Sequence, residues 1–183
     1  VEHLTSATVK HGAKVVAARG SVVDYSGTAI VNAANEGCLG GGGVDGAISN
    51  RGGLMLAKAR EKLPILAGRG VRCYTGEAKT TVSGDLACKW VIHSVGPNYR
   101  LMEEDEGDRL LYSAYRHAMI EAKRKQMPDV AFSLLSAGIF RGSKSLHDVL
   151  AIGLLAVSAC AYEGLEEVLL VGFTDAEVST LSN

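Results

Sequence analysis

Short runs of apolar and β-branched residues recur along the chain at Lys14 to Ala18, Thr28 to Asn32, Trp90 to Ser94, Val130 to Leu135 and Glu167 to Gly172. Few polar residues interrupt them, which predicts strands mostly buried on both faces. Helical patterns lie between. Leu54 to Leu63 is rich in helix formers and stops at Pro64, and Leu146 to Tyr162 forms another such segment. Arg109 to Lys125 places Leu110, Tyr112, Ala114, Tyr115, Ala118, Met119 and Ala122 on one broad apolar face before Pro128. Strands alternating with helices predict an α/β sheet covered on both faces, with ligands bound beyond the carboxyl ends of the strands.

Composition narrows this picture. A chain of 183 residues without internal repeat or linker is expected to form a single domain over residues 1–183, large enough to bury a core unaided. With 19 basic and 20 acidic side chains the net charge is -1, so no broad positive field gathers nucleic acid or an anionic membrane. Any phosphate must be held locally. Cys38, Cys73, Cys88 and Cys160 show neither zinc spacing nor the density of a disulfide scaffold. They read as reduced thiols of a soluble intracellular protein, cytoplasmic or nuclear, since no apolar stretch is long enough to span a bilayer and Val1-Glu2-His3 begins no signal segment. The acidic run Glu103 to Glu106 reads as a solvated loop and helix start.

The chemistry concentrates after the second apolar run. Ala29-Ile30-Val31-Asn32-Ala33-Ala34-Asn35 leads into Glu36-Gly37-Cys38-Leu39 and then four consecutive glycines, Gly40 to Gly43. Such a run is costly to order and points to backbone that approaches a ligand closely. Successive N–H groups near a helix start can cradle a diphosphate without lysine or arginine. Asp45 then places a carboxylate at the mouth of the cradle. Gly41 to Gly46 also has the spacing of a dinucleotide fingerprint, but the strand ends too early and no acidic residue follows a second strand at the right distance. A carboxylate there would repel a diphosphate unless it has another task, such as chemistry on the adjacent sugar. Ser136-Ala137-Gly138-Ile139-Phe140-Arg141-Gly142-Ser143 forms a second small-residue turn at a strand end, able to face the same phosphates from the opposite side. Phe140 either covers a sugar or anchors the loop, and Arg141 is expected to point to solvent. His93, inside a buried strand, reads as a hydrogen-bonded structural histidine, and Cys38 as a small apolar filler.

These residues resemble the macrodomain family, in particular its MacroD-type branch of ADP-ribosyl hydrolases. The resemblance is carried by Asn35, Gly42, Gly43, Val44 and Asp45, together with Asn32, the turn Thr75-Gly76-Glu77-Ala78, the segment Val91 to Pro97 and the Ser136 to Phe140 loop. It implies a three-layer α/β/α macrodomain fold with a mixed central sheet of about six strands. It further implies that Asn32 and Asn35 lie by the distal ribose of ADP-ribose, Asp45 by its reacting carbon, and Gly42 to Gly46 with Ser136, Ala137, Gly138, Ile139 and Phe140 around the diphosphate. Ser21 and Val22 after the first apolar run, and Phe173 after the last, are implied adenine neighbours, a flat aromatic face suiting a flat base. The implied partners are ADP-ribose and ADP-ribosylated proteins, bound by a monomer without membrane or nucleic acid.

Two positions depart from the family pattern. Ser21 stands where members commonly carry an aspartate that accepts a hydrogen bond from the adenine amino group, which predicts weaker adenine selection unless Asp24 compensates. Ser49 stands where several MacroD-type hydrolases carry a histidine. The expected activity is hydrolysis of ester-linked mono-ADP-ribose on protein Asp or Glu and of O-acetyl-ADP-ribose. Asp45 would orient or deprotonate water, Asn35 and Asn32 would position the ribose, and no metal or organic cofactor is required. A non-catalytic reader of ADP-ribose is the alternative.

Overall fold

Each of the apolar runs forms a strand, because their β-branched side chains fill a sheet packed on both faces. The computed structural model describes all residues from Val1 to Asn183. Its elements are β1 (Glu2–Thr8), β2 (Lys14–Arg19), β3 (Ala29–Ala33), α1 (Gly43–Glu61), β4 (Ala78–Val82), β5 (Trp90–Ser94), α2 (Glu104–Arg124), β6 (Asp129–Ser133), α3 (Leu146–Ala159), β7 (Glu167–Gly172) and α4 (Asp175–Ser182). The strands form one mixed sheet in the order β1-β2-β7-β6-β3-β5-β4, with β1 and β4 antiparallel at the two edges and every other pair parallel.

The count is thus seven strands rather than about six. β1 escapes an apolar-run reading because its residues are exposed except for the partly buried Leu4, and β4 because Lys79, Thr80 and Thr81 interrupt its apolar character. Period-two alternation divides the strands between two cores. Val31, Val130, Phe132 and Leu170 pack with α2 and α3, whereas Ile30, Ala131, Leu169 and Val171 face Ile48 and Leu56 of α1. Helices on both faces complete the three layers. The acidic run opens α2, with Glu104, Asp105 and Glu106 in its first turn, where carboxylates favour the helix dipole.

Helix α1 begins eleven positions before the predicted Leu54 start, at Gly43. Gly53 breaks it, with φ 69° and ψ -161°. A Cβ on Gly53 would also approach Asp85 Oδ2 to 2.7 Å, so glycine answers both the left-handed backbone and the tight packing. The break decides what the two halves of α1 bring together.

Candidate active site

The parallel strands end at a cleft of about 580 Å3, a volume suited to a small ligand. Ser21, Val22, Asn35, Gly42, Gly43, Val44, Asp45, Ser136, Ala137, Gly138, Ile139, Phe140 and Phe173 all line it. Asn32 does not. It lies fully buried within β3, and its Nδ2 stands 3.1 Å from His93 Nδ1 on the paired strand.

One wall is the glycine loop. Asn35 shapes it, donating from Nδ2 to Gly40 O at 2.9 Å and accepting the Cys38 N–H on Oδ1 at 3.2 Å. Within α1 the Gly46 N–H is the first to find a backbone acceptor, Gly42 O. The N–H groups of Gly41 to Asp45 therefore remain open, as helix starts require. The opposite wall is the Ser136 to Phe140 loop, in which the N–H groups of Ser136, Ala137 and Gly138 have no backbone acceptor either. Two banks of main-chain N–H groups without backbone acceptors therefore border one cleft, an arrangement that can cradle an anion without a basic side chain.

Neighbouring segments hold both walls. Glu36 Oε2 accepts the Thr75 N–H and hydroxyl at 2.9 and 3.1 Å, so the Thr75 to Ala78 turn braces the glycine loop from outside the cleft. Ser136 Oγ donates to Pro97 O at 2.7 Å, and a Cβ on Gly96 would come within 2.4 Å of that hydroxyl. Only glycine lets these strands' ends approach so closely. Arg141 does not point to solvent as expected; its Nε donates to Ala137 O at 3.0 Å and its Nη1 to Lys144 O at 2.7 Å, fastening its own loop.

Asp45 is the carboxylate of the cradle, 3% exposed. Arg60 binds it in a bidentate fork, Nη1 to Oδ1 at 2.6 Å and Nη2 to Oδ2 at 3.0 Å, and Ser49 Oγ donates to Oδ1 at 3.2 Å. Arg60 is itself 1% exposed and donates from Nε to Cys38 O. A straight helix would separate positions 45 and 60 by about 22 Å, so the pair forms only because α1 turns at Gly53. The repulsion expected between Asp45 and a diphosphate is answered by this buried guanidinium. Arg60 went unread in the sequence, because its partner lies fifteen positions away, outside the i,i+4 spacing that joins side chains on one helix.

His93 is structural. Thr81 donates its hydroxyl to Val82 O at 3.0 Å, which leaves Thr81 Oγ1 to accept from His93 Nε2 at 2.9 Å, while Asn32 Nδ2 donates to His93 Nδ1. Burial, with Arg60 adding to it, pushes the imidazole pKa down to about 3. Cys38 packs with Ala34, Cys73 and Val95 as a filler, its backbone left-handed at φ 61°.

At the far end of the cleft Phe173 is 76% exposed, so it belongs to the rim and not the core. Phe140 is half-buried, and its carbonyl accepts the Tyr99 N–H at 2.7 Å. Asp24 does not line the cleft; it pairs with Arg51 at 3.1 Å on the exposed surface.

A three-layer sheet with a main-chain anion cradle and one buried carboxylate defines a phosphate-ligand domain of the α/β class. The chain belongs to the Macro domain family, whose model matches residues 31–148. It is 35% identical over 163 residues to an O-acetyl-ADP-ribose deacetylase of Salmonella newport, spanning 89% of this chain and 88% of that one. Its fold superposes on the Oceanobacillus iheyensis macrodomain with ADP at a TM-score of 0.86 and 28% identity, covering 97% of this chain and 92% of that one. A Trypanosoma brucei macrodomain in complex with ADP-ribose matches at a TM-score of 0.77 and 30% identity over 92% of this chain and 67% of the other. No helix is long and apolar enough to cross a membrane.

Proposed function

We propose that this protein binds ADP-ribose in the cleft and hydrolyses esters of its distal ribose, releasing acetate from O-acetyl-ADP-ribose or freeing aspartate and glutamate side chains of mono-ADP-ribosylated proteins. Asp45 carries this reading. A carboxylate offers about four acceptor positions, and Arg60 and Ser49 occupy three of those on Asp45. The fourth is on Oδ2, the oxygen that would lie 3.9 Å from a Cβ on Gly41 and so borders the glycine loop.

A water held on that oxygen passes its proton to Asp45 as it attacks the ester. Attack at the acyl carbon gives a tetrahedral intermediate; its collapse breaks the bond to the ribose oxygen, which leaves with the proton returned by Asp45. Acid and ADP-ribose are the products, and one water is consumed. Attack at the sugar carbon yields the same products with the other C–O bond broken. Hydrolysis in 18O-labelled water separates them, the label entering the released carboxylate in the first case and the ribose in the second. The main-chain donors of both loops hold the diphosphate, so positioning supplies much of the acceleration. The relative named for deacetylase activity and the neighbours solved with ADP and ADP-ribose support the assignment.

The reader alternative draws on the same ion pair, since Arg60 and Ser49 occupy most of the acceptor positions on Asp45 and hold the carboxylate in a structural role. Turnover of a glutamate-linked mono-ADP-ribosylated protein, measured beside calorimetric binding of ADP-ribose, decides between them. Turnover is the expected result; binding without turnover selects the reader.

A further inference from the structure

Resting on ADP-ribose as the ligand of this cleft, we propose that Glu177 is the residue that selects adenine, accepting a hydrogen bond from the exocyclic amino group of the base. Ser21 offers no charged acceptor, and its hydroxyl oxygen already takes the Val23 N–H at 3.4 Å. Asp24 is turned away into its pair with Arg51. Glu177 lines the same cleft as Ser21 and Phe173 and is the one ionisable carboxylate there besides Asp45.

Its geometry is fixed from two directions. Oε1 accepts the N–H groups of Phe173 and Thr174 at 2.9 and 3.1 Å, while the Glu177 N–H bonds Thr174 Oγ1 at 3.1 Å. This reciprocal cap ties the carboxylate to the backbone that carries the exposed Phe173 ring. At the other side Gly172 lets α4 press onto the end of β7, where a Cβ would meet Val178 N at 3.1 Å and Glu177 C at 3.3 Å. Oε2 has no hydrogen-bond donor in the protein. A half-buried, preoriented anion with one free oxygen beside an exposed aromatic face fits a flat base with a donor on its edge. It also disfavours a base that presents a carbonyl oxygen at that edge, because two acceptors then face each other.

The test compares ADP-ribose with inosine diphosphate ribose, in which a carbonyl replaces the amino group, for the parent and Glu177→Gln. Glutamine preserves the cap, since its amide oxygen serves in place of Oε1. Its NH2 then takes the place of the free oxygen. The parent should bind ADP-ribose about 10-fold or more tightly than the inosine analogue, the scale of one charge-assisted hydrogen bond. In Glu177→Gln that ratio should fall to near one or invert, through weaker ADP-ribose binding and unchanged or tighter binding of the analogue. A parent that binds both ligands equally, or a variant that keeps the parental ratio or weakens both ligands alike, overturns the role of Glu177 while leaving the cleft assignment standing. A parent that binds neither ligand overturns both.

Discussion

Replacing Arg60 by leucine removes the guanidinium that neutralises Asp45 and strands a carboxylate that is 3% exposed. Two hydrogen bonds to Asp45, one to Ser49 Oγ and one to Cys38 O are lost together. Breaking one side of a buried ion pair costs about 3–5 kcal/mol, most of it the penalty of leaving the other charge uncompensated. Asp45→Asn should be destabilising on the same scale, now with Arg60 stranded. The double variant, Asp45→Asn with Arg60→Leu, buries no unpaired charge. Its loss of stability should therefore fall short of the sum of the single losses by about 2 kcal/mol or more. Urea unfolding of the four proteins, read by circular dichroism, gives the cycle directly. Additive losses, or an Arg60→Leu variant within about 0.5 kcal/mol of the parent, refute the claim that the ion pair is a tightly coupled buried unit.

Turnover separates the partners. Asp45→Asn, assayed at a temperature where it is folded, should lose about 100- to 10,000-fold in ester hydrolysis, the usual effect of removing a general base, while ADP-ribose binding measured by calorimetry survives. Parental turnover in that variant excludes Asp45 as the base. His93 sets an acid limit on stability: its folded pKa of about 3 lies below its unfolded value near 6.5, so the unfolded chain takes up the proton first as pH falls. Stability from this group is intact above pH 6.5 and declines toward pH 3, by about 2–3 kcal/mol between pH 7 and 4.5. A His93→Gln variant should show a correspondingly smaller loss in urea unfolding at the two pH values, and an equal loss refutes the linkage. Gly96→Ala forces a Cβ to within 2.4 Å of Ser136 Oγ, which should cost about 1–3 kcal/mol of stability. The displaced Ser136 loop should also weaken ADP-ribose binding by about 10-fold, and unaltered affinity shows that the loop does not hold the diphosphate.

The five internal strands were legible because burial on both faces demands uninterrupted apolar runs. The edge strands were not: β1 and β4 are each held by pairing to one neighbour, the side chains of β1 are mostly exposed, and Lys79, Thr80 and Thr81 give β4 little hydrophobic signal. The first half of α1 was hidden by its own chemistry, since Gly43, Gly46 and Gly52 are poor helix formers retained where backbone must approach a ligand or pack closely. α4 is short, and its start is marked by the cap between Thr174 and Glu177 and not by an apolar periodicity. At the site, glycine runs and the residues they flank announced the cradle. Asn32 lies inside β3, where its amide meets His93 and does not line the cleft, a setting that the apolar run around it does not distinguish from a place at the strand's open end. Arg60 and Glu177 stayed unread because their importance depends on which elements the fold brings to the cleft.

No lysine or arginine lines the main cleft, and its deepest anion is already matched by a guanidinium behind it. Capture of a charged ligand then depends on short-range main-chain dipoles and not on a long-range field. Such dipoles are little screened by dissolved ions, so affinity should change little across ordinary ionic strengths, and the association rate should gain nothing from electrostatic steering. A cleft of this kind discriminates by shape at contact, leaving other cellular polyanions without a field to draw them in.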